Sequence, residues 1–200
     1  MAVKTITMKH AIYGDIVLEA VHVREDGKTV YLMRDAIPFR AFSEASCNDY
    51  AKSDIKQWLN SDAPAGKWWT DPAGKGKLPR YWDAPGFLAG FAKEDLERIS
   101  ETELGLFFLP SYTELTGEPN GKLGMEGEQW TAFEGMLYGD LVKHLQKKEI
   151  GTGDKAWWWL RSCHPDCPEY ARSVNTYGYP YSGGWACDPL SAAAAACVIG

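Results

Sequence analysis

Tryptophan clustering is the feature that most constrains the fold of this 200-residue chain. Nine tryptophans are present, and five of them fall in two runs, Trp68–Trp69 and Trp157–Trp159. Each indole ring buries a large flat surface and needs an acceptor for its N–H group, so adjacent tryptophans require rigid packing partners on both sides of the backbone. Hydrophobic residues make up 45% of the chain, which is sufficient for one core. We therefore expect a single domain over residues 1–200, with loop-rich backbone packed on aromatic side chains.

The charge balance and the lengths of the apolar runs exclude several classes of partner. The formal net charge is -6, whereas nucleic-acid binding requires clustered lysine and arginine. No apolar run approaches the roughly 20 residues of a membrane span, and residues 1–10 lack the apolar core of a signal peptide. We expect no nucleic-acid partner and no membrane insertion, and the location stays open between virion-associated and cytoplasmic before assembly.

The apolar spacing changes from strand-like to helix-like along the chain. The first 40 residues are predicted to form strands. Apolar residues alternate with polar ones from Ile12 to Val23, and the turn Glu25-Asp26-Gly27-Lys28 before Thr29–Met33 predicts an antiparallel pair. Ser53 is a good helix cap, and Ile55, Trp58 and Leu59 follow it at helical spacing. The proline- and glycine-rich residues 63–85 predict a long surface excursion held down by tryptophan.

Further elements are predicted downstream, and one segment stays ambiguous. We expect a second amphipathic helix over Phe87–Ile99, a buried strand over Leu104–Leu109 and a short helix or turn capped by Ser111. Residues 130–145 have helical spacing but contain Gly135 and Gly139, which leaves helix and irregular backbone both open. Lys155–Ser162 reads as a buried central strand, and Trp157, Trp158 and Trp159 are assigned to the scaffold.

The segment after residue 163 has a different composition, rich in tyrosine, serine, glycine and proline, and only 171–176 and 192–199 look like strands. Tyrosine, serine and asparagine on loops are typical of binding surfaces, because they combine large contact area with adaptable hydrogen bonds. Three alternating tyrosines at 177, 179 and 181 share one side if the segment is extended, so they are either buried together or face a ligand together. We predict one exposed ligand-binding patch formed by Tyr170, Ser173, Asn175, Tyr177, Tyr179, Tyr181, Ser182 and Asp188, with Trp185 as a fixed anchor.

Catalytic and metal-binding patterns are weak. The five cysteines are an odd number, which favours reduced thiols. Cys163 and Cys167 flank His164 at a spacing unlike that of a zinc ribbon, and no second pair follows. We predict no catalytic residues, no metal site and no cofactor.

Four segments together resemble a domain family of bacterial and phage proteins, mostly of unassigned function, that belongs with the C-type lectin-like and formylglycine-generating-enzyme-like folds. They are Tyr50–Asn60 (YAKSDIKQWLN), Phe87–Ile99 followed by Glu101, Phe107–Leu115 (FFLPSYTEL), and Trp158–Ser162 (WWLRS) with Ala171–Gly178 after it. The resemblance implies an α+β, C-type lectin-like fold with two amphipathic helices flanking a small twisted antiparallel sheet and extensive loops. The family's usual last strand, similar to Gly-Val-Arg-Pro-Ala, is replaced here by residues 191–199, which include five consecutive alanines.

Several relatives of that fold are variable proteins of diversity-generating retroelements, in which adenine-directed mutagenesis rewrites codons near the end of the gene. Randomised AAY codons encode every residue type except Glu, Lys, Met, Gln and Trp. Residues 1–159 contain 43 of these five types, whereas residues 160–200 contain only Glu169 and Trp185. A variable region over 160–200 explains this depletion, and so does the packing of a β-rich C-terminus.

The resemblance implies a display protein of phage or bacterial origin whose hypervariable C-terminal surface binds a protein or glycan on another surface. One alternative is an oxidoreductase related to formylglycine-generating enzymes, which use a cysteine pair on this fold. Another is a purely structural virion or cell-surface module. The oligomeric state stays open.

Overall fold

Two antiparallel sheets and several short helices make up the computed structural model, which describes residues 4–71, 73–180 and 182–200. The strands are Thr5–His10 (β1), Gly14–Val23 (β2), Thr29–Met33 (β3), Ile99–Ser100 (β4), Trp158–Cys163 (β5), Tyr170–Val174 (β6), Ser182–Trp185 (β7) and Ala196–Ile199 (β8). The α-helices are Asp54–Leu59 (α1), Lys93–Leu96 (α2), Tyr112–Thr116 (α3) and Tyr138–Leu145 (α4), and short 3-10 helices cover Tyr50–Lys52, Phe87–Gly90 and Gly121–Leu123. The predicted α+β class with antiparallel sheets is confirmed. Within the described ranges, each helix is too short or too polar to cross a membrane.

The larger sheet has the strand order β1-β2-β3-β8-β4, and all neighbours are antiparallel. The predicted hairpin is confirmed as β2 and β3, with Gly27 in a left-handed conformation in the turn (φ 80°). Strand β1 lies within the first 40 residues, which were predicted to form strands, and its buried positions are Met8 and His10. A bulge in β2 at Val21 frees that residue's carbonyl, which accepts a hydrogen bond from Ala132 N.

The alanine run near the C-terminus enters the core of the molecule. Strand β8 lies between β3 and β4, and residues 192–197 are fully buried. Before the strand, Ala192 and Ala193 form isolated bridges with Trp158 and Ile37, and residues 194–195 have no strand pairing. The expected strand over 192–199 is therefore confirmed only in its second half. Neighbours on both sides leave room for small side chains alone, which explains the alanines.

Two predicted elements were wrong. Phe87–Ile99 is not one helix but a 3-10 turn, the short helix α2 and strand β4. The helix is interrupted because Phe91 pairs with His10 of β1, and a Cβ at Gly90 would lie 2.0 Å from His10 Cε1. Leu104–Leu109 is not a strand, because the Asn60 side chain takes the place of a neighbouring strand and accepts hydrogen bonds from Leu106 N (2.7 Å) and Phe107 N (3.2 Å).

The smaller sheet has the order β5-β6-β7 and rests on buried tryptophans. Trp158 and Trp159 are fully buried, and their Nε1 atoms donate to Leu145 O (3.1 Å) and Arg40 O (2.7 Å). Strand β5 is buried, as predicted, but it is the end strand of this sheet order and not a central one, and Ala192 bridges to its outer side. Trp157 was wrongly assigned to the scaffold, because it precedes β5 and is 42% exposed. The ambiguous segment 130–145 is helical only in its second half, as α4.

Candidate functional site

The β6–β7 hairpin and the loop after it carry most of the predicted patch. Tyr170 pairs with Trp185 at one end of the hairpin, and Ser173 pairs with Ser182 at the other. About 10 Å of strand separates these ends. Tyr181 lies outside the described residues, as does the side chain of Ser182. The predicted residues therefore form two groups, one at each end of the hairpin.

The first group is centred on an aromatic pair. The ring centroids of Tyr170 and Trp185 are 5.9 Å apart, and Trp185 Nε1 donates to Tyr170 Oη. His164 packs edge-on against the other side of Tyr170, with ring centroids 6.0 Å apart. Since its indole N–H already has an acceptor and the side chain is 57% exposed, Trp185 presents mainly apolar ring surface to solvent.

A groove of about 560 Å³ lies beside this pair. The lining residues are Trp157, Gly183, Gly184, Trp185, Cys187, Asp188, Pro189, Leu190 and Ser191. Trp185 and Asp188 were predicted as site residues, whereas Trp157 and Leu190 were not. Leu190 is 68% exposed and follows Pro189 in a loop. The sequence signal for this position is a leucine directly after a proline in a loop-like segment, and the prediction did not use it.

Backbone hydrogen bonds bring the two walls of the groove together. Ala192 N donates to Trp157 O at 2.7 Å, and Asp188 N donates to Trp185 O at 2.7 Å. Asp188 Oδ1 accepts from Leu190 N at 2.9 Å, which closes the loop between them. The groove is therefore held by main-chain contacts, while its exposed surface is formed by large apolar side chains.

The second group occupies the turn between β6 and β7. Asn175 Oδ1 accepts from Tyr177 N (2.9 Å) and Tyr179 N (3.0 Å), and Gly178 has a φ of 90°. The backbone is a turn here, so the extended conformation that would align the tyrosines is wrong. Tyr177 is 64% exposed, with Lys155 Nζ 5.7 Å from its ring centroid. Tyr179 is half-buried and lies 6.1 Å, between ring centroids, from Tyr138 of α4.

Ser173 does not belong to the exposed surface. It is fully buried and pairs with Trp159 across β5 and β6. Alternation along β6 places Ser173 and Ala171 on the side that faces the core, and Ala171 is also fully buried. The prediction that Ser173 is an exposed patch residue was therefore wrong, because the serine occupies an inward position of a half-buried strand.

A larger cleft of about 1050 Å³ lies between the β2–β3 hairpin and β5, and charged side chains, among them Arg161, Glu114 and Glu126, line it. Arg161 Nη1 and Nη2 contact Glu114 Oε2 (2.5 Å) and Oε1 (2.8 Å). Ser162 Oγ donates to Glu126 Oε2, and on the opposite wall His22 Nε2 lies 2.9 Å from an oxygen of Glu128. Arg161, Glu114, Ser162 and Glu126 form a network that ties β5 to the segments around it, whereas His22 and Glu128 form a separate pair.

Cys163 and Cys197 have the environment of unreactive thiols. Cys163 Sγ donates to Asn48 O at 3.0 Å, and burial raises the pKa of the Cys163 thiol. Burial also raises the pKa of Cys197 to about 12. A protonated thiol is a poor nucleophile. In the part of the chain that the structure describes, no group of three or more His, Cys, Asp or Glu side chains is placed to hold a metal ion.

Comparison with known families and proteins places this geometry in context. The model of a domain of unknown function, DUF6273, matches residues 27–189. This range includes both walls of the groove as far as Pro189, together with Arg161 and Glu114. No curated protein and no solved structure matches the chain.

Proposed function

The chain belongs to the DUF6273 family, and we propose that this member is a non-enzymatic binding domain of phage or bacterial origin whose C-terminal surface recognises a protein or glycan on another surface. The observation that carries the proposal is the groove beside β7, where Trp157, Trp185 and Leu190 are exposed around one concavity. Large exposed apolar side chains around a concave surface are typical of interaction sites. Backbone hydrogen bonds hold this surface in place, so little ordering is needed on binding.

The arrangement of the C-terminal region supports a division between fixed and variable positions. We propose that residues 160–200 are the target of a diversity-generating retroelement. Trp157 lies before this region and Trp185 is of a type that AAY randomisation does not produce, so both act as constant anchors of the groove. Tyr170, Tyr177 and Asp188 are of permitted types and are exposed or half-exposed. Variation is expected at such positions and not in residues 192–198, where neighbours leave no room for larger side chains.

The oxidoreductase alternative is disfavoured by the thiol environments. A redox-active cysteine requires a lowered pKa, and burial raises that of Cys163. The groove contains Cys187, but its other lining residues are mainly aromatic, aliphatic or glycine. Binding therefore fits the groove better than redox chemistry.

A ligand screen with matched variants tests the proposal. The wild-type protein is screened against a glycan array and a displayed library of cell-surface proteins, and each hit is measured again with Trp185→Ser and Leu190→Ser. Met125→Ser is the control, since Met125 is 57% exposed and does not line the groove. We expect each groove variant to weaken binding about tenfold or more, because truncation of a central apolar anchor costs about 2 kcal/mol.

The melting temperatures of all variants are expected to match the wild type, because the replaced side chains are exposed. Hits that bind the groove variants as well as the wild type would contradict the proposal, as would a screen without hits. The retroelement part is tested separately by sequencing the flanking DNA. It requires a reverse transcriptase gene and a near copy of the region that encodes residues 160–200.

A further inference from the structure

The outer edge of β7 lies directly beside the groove. Among the described residues, β7 is the end strand of the sheet order β5-β6-β7 and pairs only with β6. The opposite edge, at β5, is covered, because Ala192 N donates to Trp157 O and Trp159 N donates to Ala192 O. An exposed strand edge presents backbone donors and acceptors that pair readily with another strand.

The register of β7 shows which backbone groups face outward. Ala186 N donates to Glu169 O at 2.9 Å, which makes this a hydrogen-bonded pair of the antiparallel ladder. Such pairs alternate with non-bonded ones, so Gly184 directs its N–H and C=O toward β6, whereas Gly183 and Trp185 direct theirs away. The bond from Asp188 N to Trp185 O agrees with this direction. The outward set is therefore the N–H and C=O of Gly183 and the N–H of Trp185.

Gly183 makes this edge accessible. It is exposed and has no side chain, and both it and Gly184 line the groove. Along an extended chain, alternate side chains point to the same side. A strand paired with β7 would therefore place one side chain into the groove while the next points away from it.

We infer that the edge of β7 takes up an extended peptide segment of a protein ligand, with one bulky apolar side chain seated between Trp157, Trp185 and Leu190. This inference rests on the proposed function and specifies its ligand class. A peptide suits the site better than a glycan, because sugar hydroxyls require several polar side chains. Asp188 is the one carboxylate among the lining residues, and its Oδ1 is already bonded to Leu190 N. Strand addition of this kind derives affinity from main-chain bonds and specificity from the pocket.

Capped pentapeptides of the form Thr-Val-X-Val-Thr, with X as Trp, Leu or Gly, test the inference on the full chain. Amide hydrogen exchange is followed by NMR at individual residues. We expect the Trp peptide to slow the exchange of the Gly183 and Trp185 amides and to leave Gly184, which faces β6, unchanged. Affinity should fall about tenfold or more from Trp to Gly at X and with Leu190→Ser, but not with Met125→Ser.

N-methylated peptides separate strand pairing from simple apolar contact. Methylation of one alternating set of amides should abolish binding, while methylation of the other set should have little effect, because only one edge of an added strand faces β7. The inference would be overturned if the two sets of methylated peptides had equal effects on binding. It would also be overturned if no peptide, at about 1 mM, changed the hydrogen exchange of the Gly183 amide. A third outcome is that the protein binds glycans but no peptide, and that Trp185→Ser abolishes the glycan binding. This outcome would refute the inference that β7 pairs with a peptide, but it would agree with the proposed function.

Discussion

The ion pair between Arg161 and Glu114 joins two segments that are distant in the sequence, and its removal is the sharpest test of the scaffold. The two side chains are 13% and 10% exposed. Arg161 Nη1 also donates to Leu109 O and Nη2 to Glu126 O, both at 3.1 Å. Glu114 Oε2 additionally accepts from Ser111 N at 2.7 Å, at the start of α3. Arg161→Met would leave the carboxylate with a single backbone donor.

The expected cost follows from this geometry. Breaking a buried pair by removal of one partner costs about 3–5 kcal/mol, because the remaining charge is left without compensation. We expect Arg161→Met to fall in that range, since it also leaves two carbonyl groups without their donor. The double variant Arg161→Met/Glu114→Gln should cost less than the sum of the two single variants by about 1–3 kcal/mol, because neither charge is then left alone.

Urea denaturation followed by tryptophan fluorescence at pH 7 provides the free energies of unfolding. Lys122→Met is the matched control, because Lys122 and Asp166 are 66% and 70% exposed in their pair, which also joins distant segments, and exposed pairs contribute about 0–1 kcal/mol. The reasoning fails if Arg161→Met costs less than about 1 kcal/mol, or if the single and double variants are additive.

Three further outcomes are expected. Tyr177→Ala should change the free energy of unfolding by less than about 0.5 kcal/mol, whereas Trp158→Ala should cost about 3–5 kcal/mol, and thermal melts of both variants check this contrast. Ala194→Leu should cost about 1–3 kcal/mol through overpacking, and an unchanged melting temperature would show that the core has spare room there. Burial lowers the pKa of His10 below 6.5, so its neutral form is favoured by folding and the unfolded chain binds the proton more readily. Stability should therefore be lost as the pH falls below 6.5, and melts between pH 5 and pH 8 should show a smaller loss in His10→Gln.

Elements determined by short-range interactions could be predicted from the sequence. Helix α1 begins after Ser53, whose side chain accepts from Lys56 N, and α3 begins with a capping box between Ser111 and Glu114. The β2–β3 hairpin follows from its Gly27 turn. In each case the stabilising groups lie within a few residues of one another, so the sequence contains both partners side by side.

The candidate site could be predicted from the sequence only in part. Composition drew attention to Trp185 and Asp188, and both residues line the groove. It placed Ser173 on the surface, although an inward position of β6 buries it. It also missed Trp157, because that residue joins the groove only through the bond from Ala192 N to Trp157 O, between positions far apart in the chain.

Tertiary contacts decided the remaining elements. The apolar residues at 104–109 have the composition of a strand, yet Asn60 and the hydroxyl group of Tyr50 bond to their backbone where strand neighbours were expected. Helical spacing over 87–99 is interrupted by the pairing of Phe91 with His10. By itself, the sequence determined where a turn or a cap begins, since those bonds are local. Only the tertiary structure decided which apolar residues meet a sheet, a side-chain acceptor or solvent, because that choice depends on partners supplied by distant segments.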